Sequence, residues 1–99
     1  MTDFYHTKRW DRLRRAVLAR DGYLCQDSKR YGKEKLATTV HHIFPRDTYP
    51  QYQWSDWNLI SLSAESHNQM HDRTTGALTE KGVELLKRTA RKRNIDYRP

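Results

Sequence analysis

Five residues in two short segments of this 99-residue chain could do chemistry together: His41 and His42 in TTVHHIFPRD, then Asn58, His67 and His71 in WNLISLSAESHNQMH. Neutral imidazole is a common ligand of divalent metals, and residues four apart on a helix share a face, so His67 and His71 can offer two ring nitrogens to one ion. Taken alone, such a pair reads as two solvated histidines in a charged segment. Two further histidines on a nearby strand favour the metal. A divalent ion held by imidazoles can bind a phosphate oxygen and offset charge on a leaving oxygen, while another histidine takes a proton from attacking water. A coordinated nitrogen cannot also accept that proton. Three ligands and one metal-free imidazole are therefore needed, and both His41 and His42 are required.

These side chains need a frame. Over residues 8–20, Trp10, Leu13 and Val17 recur at helical spacing with Arg12, Arg14, Arg15 and Arg20 on the other faces, which predicts an amphipathic helix with a basic exterior, stopped at Asp21-Gly22. Residues 23–35 read as irregular. Residues 37–44, rich in β-branched and apolar types and ended by Pro45, predict a strand carrying the histidine pair. An ordered loop rich in aromatics spans 45–57, and 58–62 predicts a second strand beside the first. Ser63 is the expected N-cap of a helix running to Asp72. After the break at Thr74-Thr75-Gly76, Thr79 caps a last basic helix over about 79–93 with Val83, Leu86 and Ala90 on its buried face, and residues 94–99 read as a loose tail.

Composition bounds the partners. With 19 Lys and Arg against 12 Asp and Glu, a net charge of +7 and a pI near 9.8, the chain favours polyanions, nucleic acid ahead of an acidic membrane surface. Cys25 is the sole cysteine, so no intramolecular disulfide can form and a reducing compartment fits best. No segment approaches the roughly 20 apolar residues that cross a bilayer, and MTDFYHTKRW has no apolar run of signal-peptide length. The expectation is one soluble intracellular domain, cytoplasmic and without a membrane partner, covering residues 1–99.

FYHTKRW with its basic helix, ARDGYLCQ, VHHIFP, NLISL and SHNQMH, in that order across residues 4–82, resemble the HNH endonucleases of the His-Me finger (ββα-metal) group. The resemblance implies a small α+β domain with flanking N- and C-terminal basic helices, acting as a metal-dependent DNA endonuclease that leaves 5′ phosphate and 3′ hydroxyl ends. It implies His41, His67 and His71 as metal ligands, His42 as general base, and Asn58 as the residue that ties the two strands so that the base is aimed. Asn68 is a competing ligand, because some members use a helix asparagine, and a swap of His41 and His42 is the natural alternative. Adjacent residues of a regular strand point to opposite faces, so both histidines reaching one phosphate calls for a distorted strand end before Pro45. Three imidazoles suit zinc, nickel or manganese better than magnesium, which prefers oxygen.

Many members of this layout carry two CxxC pairs that hold a structural zinc. Here the corresponding positions read Cys25-Gln26-Asp27-Ser28 and Ser63-Ala64-Glu65-Ser66, and a serine hydroxyl is a poor zinc ligand near neutral pH, so no structural zinc is expected. Hydroxyl hydrogen bonds and burial of Tyr23, Leu24 and the loop aromatics would then hold this region, with Cys25 a small buried residue. Arg12, Arg14, Arg15, Arg20, Lys87, Arg88, Arg91, Lys92 and Arg93 are candidate phosphate contacts that would position DNA without reading it, against the alternative of solvated helix faces. Arg46 is a candidate clamp on the scissile phosphate or else a solvated loop arginine. Trp54 and Trp57 are expected in the core, Tyr49 and Tyr52 in the substrate groove. Two other functions fit the same residues: a noncatalytic DNA-binding module, and an accessory subunit of a larger DNA-processing complex such as a phage packaging machine.

Overall fold

The computed structural model describes residues 3–97. Its helices are α1 (Lys8–Arg20), α2 (Gln26–Arg30), α3 (Ala64–Asn68) and α4 (Glu80–Arg93), its strands β1 (Thr39–His42) and β2 (Leu59–Leu62), with 3-10 turns at Phe4–His6, Pro50–Tyr52 and Asp56–Asn58. The strands pair antiparallel with Thr39 opposite Leu62 and His42 opposite Leu59. This is the small α+β arrangement expected.

Alternation along the hairpin divides the interior in two. Val40 and Leu59 pack against Trp10, Val17 and Leu18 of α1, with Phe4, Leu13 and Trp54 at the edge. Leu62 belongs to the other face, where Cys25, Ile43, Phe44, Met70, Leu85, Leu86 and Ala90 form a second cluster. Trp57 lies against that second cluster, so both tryptophans of the loop serve the core.

Helix α1 begins where the Thr7 hydroxyl accepts from the Trp10 amide at 3.1 Å. Past Asp21 the chain reverses through two consecutive left-handed residues, Gly22 (φ 64°) and Tyr23 (φ 59°), with the Tyr23 amide donating to Leu18 O at 2.8 Å. The reversal leaves Tyr23 55% exposed, so it does not brace this region as its aromatic character suggests. Residues 23–35 are not irregular either. They contain α2, whose single turn is too short for a hydrophobic period to show but has Asp27 at its start and Lys29 and Arg30 at its end, the charge order a helix dipole favours.

Both strands are shorter than the pattern suggests. Before Thr39, the Ala37 amide turns away to donate to Tyr23 O at 2.9 Å, and after His42 the Asn58 backbone and side chain take over the pairing. Helix α3 stops at Asn68, not Asp72. Its last turn tightens: the Gln69 amide is shared between Glu65 O and Ser66 O, and the Met70 amide donates to His67 O at 3.0 Å. The chain then enters a closed turn in which Asp72 Oδ1 accepts from the Thr74 and Thr75 amides and His71 bridges Leu78. The turn delivers Thr79 to cap α4, and α4 passes so close to Met70 that a Cβ on Gly82 would lie 2.6 Å from the Met70 carbonyl oxygen.

On α4 the buried face is Gly82, Leu85, Leu86 and Ala90, with Val83 half-buried at its edge. The tail is not loose over 94–97. Asn94 adopts a left-handed cap (φ 55°), the Ile95 amide donates to Ala90 O at 2.9 Å, and Ile95 and Tyr97 pack on the second cluster. Residues 98 and 99 lie outside the described residues. No helix among the described residues is long and apolar enough to cross a membrane.

Candidate metal centre

His41, His67 and His71 each direct a ring nitrogen to one point, the three atoms lying within 4.8 Å of one another. The ring centroids form a near-equilateral triangle, 5.3 Å for His41–His67, 5.1 Å for His41–His71 and 5.5 Å for His67–His71, with the rings edge-on to one another. The helical i, i+4 argument brought His67 and His71 together for a reason the structure corrects. Only His67 is on α3, and His71 is delivered by the bridge to Leu78.

His41 is 1% exposed, and its Nε2 is buried with no hydrogen-bond partner among the described residues. Such an orphaned polar atom costs folding free energy unless something binds it. Burial first, then the neighbouring rings of His67, His71 and His42, push the His41 pKa down to about 3. It is therefore a neutral ligand near pH 7, with no proton to displace when a cation arrives. Burial and His71 also lower His67. His71 Nδ1 lies 3.2 Å from Gly76 O, which can only accept, so the proton resides on Nδ1 and the Nε2 lone pair is free. The donor set thus fits a divalent metal. Asn68 is exposed and does not line the cleft in front of these rings.

His42 stands apart from this triangle. Its imidazole stacks on Trp10 (centroids 5.3 Å, 18° between planes) and meets Phe4 and Tyr5 edge-on. Nε2 lies 3.1 Å from Gln53 O, which makes Nε2–H the donor and leaves Nδ1 as an unprotonated acceptor. Burial, the largest influence, and the nearby Arg46 lower its pKa, against the Gln53 carbonyl, which raises it.

Register through His41 and His42 is unbroken, so no bulge reconciles their opposite directions. The resolution lies in the sheet's width. The five consecutive residues 38–42 all line one cleft of about 730 Å³, which also admits His67, His71, Arg14 and Arg46. The cleft runs along the unpaired edge of β1, where side chains from both faces reach the rim.

Asn58 is fully buried and spans the loop that follows His42 and carries Gln53. Its Oδ1 accepts from the Phe44 amide at 2.7 Å, its Nδ2 donates to Phe44 O at 3.1 Å and Tyr52 O at 3.2 Å, and its own carbonyl accepts from the Ile43 amide at 2.8 Å. Asn58→Ala keeps the backbone bond to Ile43 but leaves the Phe44 amide and the Phe44 and Tyr52 carbonyls without their side-chain partner, and is expected to cost about 2–4 kcal/mol. Urea denaturation of the two proteins measures it, and a loss below about 1 kcal/mol contradicts the role of brace.

The candidate phosphate contacts divide by position. Arg14 lines the cleft, its guanidinium donating to Thr38 O at 3.1 Å, and Arg46 lines it from above the Phe4 ring at 3.8 Å. Arg15 is paired with Asp11 at 3.1 Å, Lys87 and Arg91 are exposed on α4, and none of the three lines the cleft. Arg20 is structural: it donates to Asp56 O and Leu59 O and is paired with Asp21. Tyr49 and Tyr52 pack on the second cluster with Phe44 and do not line the cleft. Trp10, the Gln53 carbonyl and the Gly76 carbonyl complete the site, and only Trp10 left a trace in the sequence, as part of a hydrophobic stripe.

The four positions compared with CxxC pairs converge. Cys25 Sγ is 3.4 Å from Ser66 Oγ, with both residues buried. Burial, the largest influence, raises the thiol pKa, but hydrogen bonds from the Ser28 and Ser66 hydroxyls and from Ser63 and Ser28 amides outweigh it and bring it to about 6. This cluster ties α2 to α3.

Neither a family model nor a curated protein matches the chain. Among solved structures it is similar to the HNH endonuclease of the deep-sea thermophilic bacteriophage GVE2, crystallised with manganese ion, at 42% identity and a TM-score of 0.64, covering 66% of this chain and 71% of that one. Two antiparallel strands, a short helix and three convergent imidazoles, joined to that identity over most of both chains, show that the protein belongs to the HNH endonuclease family.

Proposed function

We propose that residues 1–99 act as one domain that hydrolyses DNA phosphodiester bonds, with one divalent ion held by His41, His67 and His71 and with His42 as general base. One observation carries this reading: His41 Nε2 is buried without a partner among the described residues, beside two other imidazoles, while His42, next in sequence, is held away from them with Nδ1 free to accept. When bound, the ion supplies electrostatic stabilisation of charge on the phosphate and on the departing 3′ oxygen. The protein's own residues do the rest. The Gln53 carbonyl and Trp10 hold the His42 ring, Nδ1 takes the proton of the attacking water, and Asn58 positions the loop without touching substrate. Arg14 and Arg46 present positive charge to the phosphate in the cleft. Imidazole donors favour manganese, nickel or zinc over magnesium, and the GVE2 structure holds manganese.

Supercoiled plasmid incubated with the protein and each of these ions is expected to be nicked or linearised, fastest with the softer ions, slowly with magnesium, and not at all with a chelator. Failure to cut any DNA with any of the four ions overturns the proposal.

A further inference from the structure

The cleft is not the end of the positively charged surface. Arg46, at its rim, lies with its guanidinium 3.8 Å above Phe4, Phe4 packs on Trp54 at 4.2 Å, and the far side of that pair carries Arg9, 4.0 Å from the Trp54 ring. Arg9 and Arg12, one turn apart on α1, share an open recess with Leu13 and Trp54, and no carboxylate lines it. The acidic residue nearest in this stretch of helix, Asp11, is engaged with Arg15. Elsewhere on the surface Arg20, Lys35 and Lys81 are paired with carboxylates, whereas Arg9 and Arg12 have no ion pair among the described residues. A guanidinium stacked on an aromatic ring keeps its planar fork of donors directed outward at reduced entropic cost, the geometry that suits a phosphate. Trp54 itself has Phe4 and Arg9 against it and is half-buried, so it supports the arginine and does not serve as a stacking platform for a base.

We infer that Arg9 and Arg12 form a second phosphate-binding shelf, taking backbone phosphates of the DNA strand that leaves the cleft past Arg46. This rests on the nuclease reading above and adds the path of the substrate beyond the reacting phosphate.

The test is DNA binding as a function of salt, measured by anisotropy of a labelled duplex with manganese present and His42→Ala as the background that prevents cleavage. The doubly substituted Arg9→Gln/Arg12→Gln protein is expected to lower the slope of log affinity against log salt by about 2, since each phosphate contact contributes about 0.9. An equal charge change at Arg30→Gln/Lys33→Gln is expected to alter it by less than about 0.5 on the same scale. Arg12 has no stacking contact among the described residues, so Arg12→Gln alone reads the same effect, a fall of about 1, without disturbing Trp54. With His42 intact, Arg12→Gln, which spares the Trp54–Phe4–His42 packing, raises KM. An unchanged slope, or an equal fall in the control, overturns the shelf while leaving plasmid cleavage and the nuclease reading standing. A protein that cuts no DNA overturns the nuclease reading, and the binding slope still decides the shelf.

Discussion

His42→Ala removes cleavage and spares binding: kcat falls by about 10²–10⁴-fold, the range general-base loss commands, while affinity for metal and for DNA stays near that of the native protein. The expectation follows from the separation of roles in the site. His42 Nε2 is committed to the Gln53 carbonyl, and the ring is stacked on Trp10, so the side chain offers the cleft a single acceptor atom, Nδ1. Alanine deletes that atom without touching the three convergent imidazoles, whose ring-to-ring contacts are with one another. Single-turnover cleavage of a plasmid gives the rate, and calorimetric titration with manganese gives the metal affinity. A variant that still cuts within about tenfold of the native rate, well short of what a lost general base costs, would assign proton removal elsewhere and favour the exchange of roles between His41 and His42.

His41→Ala is expected to do the converse, removing the metal and activity with it. Losing a group that merely orients a ligand costs about 10–100-fold in metal affinity, so deleting the most buried of three ligands costs more. Binding by the native fold adds stability by mass action, about 2.7 kcal/mol at a hundredfold excess over Kd, and melting temperature reads it directly. Native protein should gain stability on addition of manganese, nickel or zinc, and the variant should gain none. Without metal the variant should melt close to the native protein, because the lost ring packing is offset by removal of a buried nitrogen that has no partner among the described residues. A metal-dependent rise in melting temperature that survives the substitution contradicts the three-imidazole site.

Much of this site could be read from residue types and order. The α1 stripe of Trp10, Leu13 and Val17, the capping residues Ser63 and Thr79, and the two strands around the loop all express periods and caps that short-range sequence carries. Elements that depend on distant partners were not legible. Helix α3 ends at Asn68 because the following turn pairs His71 with Leu78, and no local pattern in SHNQMH announces that bridge. His71 therefore arrived at the cluster by a route different from helical spacing. The orientation of His42 depends on a backbone carbonyl eleven residues away, and every residue type has one, so no residue type could signal it. Arg20 resembles its neighbours in sequence, and only the proximity of the Asp56 and Leu59 carbonyls distinguishes its role.

The hairpin that separates the two hydrophobic clusters also separates the two roles proposed for its histidines. His42 is anchored in the layer built by α1, and His41 faces the layer built by α3 and α4. The spacing between the two adjacent imidazoles is thus set by one peptide link and four rungs of pairing, like a gauge block clamped between two jaws. The rungs alone do not finish the site: α3 and the turn after it must bring His67 and His71 up to His41, and Trp10 must hold the His42 ring. A slip of one rung would exchange the faces of the two histidines and turn Val40 out of the α1 layer with them, so the register that builds the core also decides which imidazole faces which layer.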